Sequence, residues 1–272
     1  DIVLEINDKD IFEVIKEKSK YRSISRKEAI VNCLQGYLFR TSNDSIMLKL
    51  KRDGKYVVKN VKCYNDEYMF DIKEPSHKII DENIGYINPG QLSKNEIDKI
   101  MEKFMNTEGI IVDLRKYPSV PIFITMPKYF VSKPTTFSKI SVPNQSVPGE
   151  FTFAKDQVIN PDDKKHYKGK LMILMNERSQ SQSEFTVMEL RKGTNAKVIG
   201  SNSIGTDGDA TEVYLPGGVT TIITGLGVYN PDGSQTQRIG LKPDIYIKPT
   251  IDGIKEGRDE LLEKAIDVIK TK

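Results

Sequence analysis

Residues 170–185 read KLMILMNERSQSQSEF. The run from Lys170 to Met175 is apolar at almost every position and of strand length, as in a strand buried on both faces of a parallel sheet. Serines follow at 179, 181 and 183, and FTVMEL, 185–190, then reads as helix. A buried strand passing into a helix at Ser181 is half of a strand–helix–strand unit. Ser181 and Glu184 have the S-x-x-E spacing of a capping box, and such a cap contributes about 0.5–2 kcal/mol. The same geometry sets a hydroxyl at the carboxyl edge of the sheet, where open α/β folds place their sites. The N–H groups and partial positive charge of a helix N-terminus favour an oxyanion there, and Gln182 would supply one amide. Spacing alone leaves both readings open, cap or nucleophile.

The flanking sequence repeats the strand–helix pattern. IGYI (84–87), GIIVDL (109–114) and AKVIG (196–200) read as buried strands. SKNE, Ser93 to Glu96, reads as another capping box. It opens a helix with Ile97, Ile100, Met101, Phe104 and Met105 on one face. Further strands are expected at 212–215, 219–224 and 244–247, with a closing amphipathic helix from about Ile254 to Ile269. Residues 132–169, rich in Pro, Ser, Asp and Lys, read as a long surface excursion. The class over 79–272 is α/β with a partly parallel sheet.

Residues 1–72 read as a separate α+β module. A strand (Ile2–Ile6) and a turn at Asn7-Asp8 precede a helix from about Asp10 to Tyr21. A second helix is expected at SRKE, capped by Ser25 with Glu28, with Ala29, Cys33, Leu34 and Tyr37 on its apolar stripe. A hairpin follows, with Ile46, Leu48 and Leu50 alternating, Asp53-Gly54 turning, and Tyr56 and Val58 returning. The polar KEPSHK, 73–78, reads as a linker.

Composition excludes several functions. The 272 residues carry 41 Lys and Arg against 38 Asp and Glu, interleaved along the chain. That balance gives no basic patch for nucleic acid. No run of about 18 apolar residues exists, so no transmembrane helix is expected, and no signal peptide is visible. Cys33 and Cys63 form no CxxC or metal spacing. Cys33 is expected as a buried free thiol, with one disulfide open if the protein is exported. His77, in HKII, and His166, in KKHYKGK, read as surface-loop residues. No metal or organic cofactor is indicated, and no glycine loop cradles phosphate.

Four stretches carry a family resemblance. NERSQSQSEF after its strand resembles the S-A-S-A-S-E motif of the C-terminal processing (tail-specific) serine peptidases. GIIVDLR resembles the family's I-V-D-L-R segment, AKVIGSNSIGTDG its V-G-x-x-T-F-G-K-G, and VYNPDGSQTQRIGLKPDI its T-P-x-G…G-I-x-P-D-I. The 1–72 module resembles the later part of a PDZ domain. The resemblance implies a ClpP/crotonase-like peptidase core behind a partial PDZ-like module. It implies a serine endopeptidase in which Ser181 attacks the peptide carbonyl and an acyl-enzyme follows. The substrate would be polypeptide, and the setting exported, periplasmic or cell-surface.

Site residues carry over one by one. Ser181 is the nucleophile. Gln182 and a loop residue near Ser119 would supply oxyanion amides, although KYPSV stands where the family has glycines. Gly205 and Thr206 fall in the F-G-K-G segment, with Thr206 in place of the lysine base and Ala210 in place of its glutamine. The tricorn-like branch instead uses an upstream histidine with a glutamate, and Gln237 stands at the glutamate's position, able to orient an imidazole. An Asp-Gly-His segment ahead of Asp1 would restore that triad; His166 could serve if the excursion folded back. Asp207 and Asp209 read as turn residues beside Gly205 and Gly208. The alternative is a catalytically impaired homologue that binds peptides.

Overall fold

The computed structural model describes residues 1–64, 74–162 and 166–271. The chain divides into two units, Asp1–Lys73 and Glu74–Lys272. The expected module end at 72, and Lys73 of the linker, lie outside the described residues.

The first unit holds β1 (Ile2–Ile6), β2 (Lys9–Asp10), α1 (Ile11–Ser19), α2 (Ile30–Leu38), β3 (Ser45–Arg52) and β4 (Lys55–Lys62). Its antiparallel sheet runs β2-β1-β3-β4. Asn7 and Asp8 turn at φ 49° and 61°, as do Asp53 and Gly54 at 47° and 80°. These residue types tolerate left-handed backbone, which tight hairpins require. Asp10 caps α1 by accepting from the Phe12 N–H at 2.8 Å. Ile6, Val14, Leu34 and Leu38 form the core.

Two expectations fail here. Ser25 caps nothing: Arg26 is extended, a 3-10 turn spans Lys27–Ala29, and α2 starts only at Ile30. The buried face is Ala29, Leu34 and Leu38, while Cys33 is half-buried and Tyr37 exposed. Tyr37 turns outward beneath the Arg22 guanidinium, 3.4 Å from its ring centroid, a cation–π contact. Cys33 and Cys63 are free thiols.

The second unit is built on β5 (His77–Ile80), β6 (Ile84–Ile87), α3 (Ile97–Phe104), β7 (Gly109–Asp113), α4 (Ile122–Thr125), β8 (Thr135–Pro143), β9 (Phe151–Phe153), β10 (Gln157–Ile159) and β11 (Lys170–Met175). There follow α5 (Gln182–Arg191), β12 (Lys197–Gly200), β13 (Ala210–Leu215), β14 (Val219–Thr224), β15 (Gly227–Tyr229), β16 (Ile245–Tyr246), α6 (Ile251–Lys255) and α7 (Glu260–Lys270). The main sheet runs β16-β12-β11-β7-β6-β5. All its pairs are parallel except β5–β6, so the α/β class and largely parallel sheet stand.

Alternation along the strands sorts side chains to the two faces. Ile110, Val112, Leu171, Ile173 and Met175 pack with Ile100, Phe104 and Val187 of α3 and α5. Ile111, Met172, Leu174 and Ile199 pack with Leu261, Ala265 and Ile269 of α7. Apolar residues at successive positions are needed because both faces are covered.

At the end of β12, Gly200 has φ 134°, and a Cβ built there would lie 1.9 Å from the Met175 carbonyl oxygen. Gly200→Ala is therefore expected to destabilise the fold by about 1–3 kcal/mol from backbone strain alone. A urea midpoint equal to wild type would contradict this.

The structure differs from expectation at four further places. HKII is the edge strand β5, not a surface loop. Ser93 and Glu96 do meet, but Glu96 accepts from the Ser93 N–H and Oγ at 2.9 and 3.0 Å, closing a turn ahead of α3. The excursion folds as a second sheet, β10-β8-β15, with β9 also on β8. The closing helix is two, separated at Gly257 (φ 71°), with Asp259 capping α7.

Candidate active site

The carboxyl ends of β7 and β11 meet at the site. After β7, Asp113 is fully buried and accepts from the Tyr86 hydroxyl at 2.7 Å and from Arg115 Nε at 2.8 Å. Arg115 also makes a two-pronged ion pair with Asp259 at 2.8 and 2.7 Å. The D-L-R sequence thus fixes the turn after β7 through a charge-assisted fork. Burial pushes the Tyr86 hydroxyl's pKa up, and the neighbouring Asp113 charge adds to it.

After β11 the three serines take different roles. Ser179 is buried: its Oγ donates to Leu114 O (2.8 Å) and accepts from Asn176 N (3.1 Å), and its carbonyl accepts from Ile204 N (3.1 Å). Ser183 is buried on α5. Ser181, between them, is partly exposed at the N-cap of α5 with φ 46° and ψ −116°. A non-glycine residue there costs on the order of 1–3 kcal/mol and persists only where its surroundings hold it. A strand-to-helix turn of this kind lifts a hydroxyl out of the strand end.

Glu184 does the holding. Its carboxylate, 1% exposed, accepts from Ser181 N (3.1 Å), Gly205 N (2.8 Å), Thr206 N (2.9 Å) and Ser203 Oγ (2.5 Å). The expected capping box is therefore present, its Glu184 half the stronger. The Ser181 hydroxyl stands in register with the Glu184 amide without a hydrogen bond of good geometry. Burial pushes the Glu184 carboxyl up, against the pull of its four donors. Three of the four partners are backbone N–H groups that can only donate, so the ionised form suits the site.

Gln182 opens α5, and its backbone N–H meets no acceptor among the described residues. Its side chain donates to Pro118 O at 3.2 Å, so the loop after β7 lies on this helix end. The other oxyanion expectations fare differently. The Ser119 N–H is engaged by Pro89 O at 3.0 Å, and its hydroxyl by Leu92 O at 2.5 Å. The amides of Gly205 and Thr206 are taken by Glu184, and the Thr206 side chain is exposed. In this conformation none of the three amides is offered to an oxyanion.

Gln237 is committed as well. Its Nε2 donates to Asp207 O and Leu226 O, both at 2.8 Å, and its Oε1 accepts from Val228 N at 3.3 Å. It clamps the 207 and 226 backbones, and Oε1, the atom that would accept an imidazole N–H, already takes the Val228 amide. His166 sits just before β11, beside a cavity of about 250 Å³ lined by Phe130, Gly193 and Asn195. Ser181 follows the far end of that strand, and six residues at roughly 3.3 Å each separate the two ends. The excursion does not bring His166 to the serine. His77 is held by Ser76 Oγ (3.1 Å) and Lys103 Nζ (3.2 Å) on β5.

Sequence reasoning missed Glu189, and the burial of Asp207, behind the Ser181 turn. Asp207 and Glu189 are 4% and 5% exposed, and each has one carboxyl oxygen without a partner among the described residues. Burial, with the Glu184 charge, pushes Asp207 up to about 7; burial, with the Asp207 charge, pushes Glu189 up to about 9. Unfolded values are about 3.9 and 4.3, so the folded chain binds more protons. The stability they contribute is complete below about pH 4 and falls as pH rises through about 7 and then about 9. The urea midpoint of wild type is expected to drop more between pH 6 and 9 than that of Asp207→Asn. Parallel drops would sink the assignment.

Comparison with known proteins follows the same residues. The model described as Peptidase family S41 matches 83–247, which spans β6 to the residues just after β16. Mature CPAF superposes with a TM-score of 0.76 at 15% identity, covering 97% of this chain and 75% of that one. A putative peptidase from Parabacteroides merdae gives 0.64 at 17% identity, covering 97% and 90%. The photosystem II D1 C-terminal processing protease gives 0.53 at 13%, covering 92% and 63%. At such identities the likeness is one of fold. No curated protein matches the chain in sequence.

Proposed function

The chain belongs to peptidase family S41, and on that premise we propose that Ser181 is the nucleophile of a serine endopeptidase acting on polypeptide. The observation that carries this is the strained backbone of Ser181, φ 46°, held by a buried carboxylate. A turn kept only as a helix cap needs no such strain, and strain of this kind clusters at functional sites. This favours a working nucleophile over a scaffold that merely binds peptides.

In this reading the Ser181 Oγ attacks the scissile carbonyl carbon and its proton passes to a base. The C–N bond of the tetrahedral intermediate then breaks, the amine leaves protonated, and water hydrolyses the acyl-enzyme. The Gln182 amide, at the positive end of α5, faces the developing oxyanion; one such donor is worth about 10²–10³ in rate. Among the described residues no histidine or lysine is hydrogen-bonded to Ser181. In the tricorn-like branch the base is a histidine from an upstream segment, and a segment of that kind would supply it here. Gln237 then serves by fixing the 207 and 226 backbones. The resemblance also supports a partial PDZ-like role for the first unit, tail-specific cleavage, and a periplasmic or cell-surface setting. Among the described residues no helix is long and apolar enough to cross a membrane.

A fluorophosphonate probe tests the nucleophile. Trypsin releases residues 179–191 as one peptide, and the label is expected on Ser181 within it, absent from Ser181→Ala. An unlabelled chain beside a reacting control hydrolase would overturn the reading.

A further inference from the structure

A second cavity, of about 380 Å³, lies behind Gln237 and is lined by Ser141, Phe151, Phe153, Leu226, Gly227 and Tyr229 among others. Strand β8 forms its floor: Ser141 pairs with Phe153 of β9 on one side and with Gly227 of β15 on the other. The rings of Phe153 and Tyr229 meet edge to face across it, centroids 5.3 Å apart. Phe151 and Phe153 are 58% and 62% exposed, an unusual state for two aromatic side chains on one three-residue strand. The floor also carries polar groups. A Cβ built on Gly227 would meet Ser141 Oγ at 2.3 Å and Tyr229 Oη at 2.9 Å. Both hydroxyls thus converge on the space that the missing side chain leaves. Neither has a hydrogen-bond partner among the described residues.

The cavity is linked to the nucleophile. Gln237, in its wall, donates to Asp207 O at 2.8 Å, and the next residue back, Thr206, shares the Glu184 carboxylate with Ser181. Binding pockets commonly pair an apolar, aromatic lining with a few convergent polar groups. An aromatic ring meets Phe153 and Tyr229 in the offset or edge-on contacts that rings prefer, and a polar ring terminus reaches the two hydroxyls. A small aliphatic side chain would leave most of the volume unfilled and a charged one unpaired.

We propose that this cavity is a specificity subsite that takes an aromatic side chain of the polypeptide substrate, tyrosine above phenylalanine. The proposal rests on the peptidase reading of Ser181, and its test separates the two. In a digest of a mixed peptide pool by the full chain, cut sites are expected to carry an aromatic residue at one fixed offset from the scissile bond. The aromatic-over-alanine preference is expected on the order of 10- to 200-fold. It should fall towards unity in Phe153→Ala and in Gly227→Ala, while fluorophosphonate labelling of Ser181 is unchanged. Cutting with no aromatic enrichment at any offset, or with enrichment that survives both variants, would overturn the subsite and leave the nucleophile standing. If the chain does not cut, binding decides. N-acetyl-tyrosine amide should shift the Gly227 and Gln237 NMR signals of Ser181→Ala protein, and N-acetyl-alanine amide should not. Equal shifts, or none, would overturn the subsite; selective shifts without labelling would retain it and remove the peptidase reading.

Discussion

Glu184→Ala is expected to cost the fold on the order of 3–5 kcal/mol, because several buried donors are left without an acceptor. Four donors lose their acceptor at once: Ser181 N, Ser203 Oγ, Gly205 N and Thr206 N. Each buried unsatisfied donor carries a penalty of roughly 1–3 kcal/mol, partly relieved where water enters. Glu184→Gln separates charge from shape. An amide keeps one acceptor oxygen but turns two N–H donors towards groups that also donate. Chemical denaturation should therefore place Gln between wild type and Ala, with fluorophosphonate labelling of Ser181 reduced in both. A glutamine variant as stable as wild type would show that the carboxyl is protonated and the four-donor account wrong.

Ser181→Gly should separate activity from stability in opposite directions. Hydrolysis is expected to fall on the order of 10⁶-fold, the scale on which a serine peptidase loses its nucleophile. The fold, by contrast, should gain about 1 kcal/mol. Glycine adopts φ 46° without the Cβ clash, and the relief exceeds what its greater freedom in the unfolded chain takes back. Ser181→Ala keeps the Cβ and therefore the strain. A glycine variant that melts below the alanine variant would contradict the strained-turn account, whatever its activity.

The parallel sheet was legible because its signal is local. GIIVDL, KLMILM and AKVIG each announce burial on both faces, and Ser181 follows one of them directly. The first unit's hairpin was legible for the same reason: Asp53-Gly54 supplies the turn chemistry itself. What stayed hidden depends on partners far away in sequence. The excursion looked structureless because β8 completes itself with β15, more than eighty residues on. Glu184 passed for half of a helix cap because three of its four donors arrive about twenty residues later. For Ser119 and Gln237, no sequence pattern shows that Pro89, Asp207 and Leu226 already hold their polar groups. Ser25 misled because S-x-x-E spacing does not fix the backbone at the residue between, and Arg26 is extended.

The fork between Arg115 and Asp259 joins residues 144 apart in the chain. The turn after β7 holds Arg115 on Asp113 by itself, but its second carboxylate partner is made only with the last helix. Ser181 is made some eighty residues earlier, so the loop beside it gains this ion pair only after the distant aspartate arrives. The order of synthesis thus leaves this corner of the molecule as the last to be fastened, with the final helix acting as its latch.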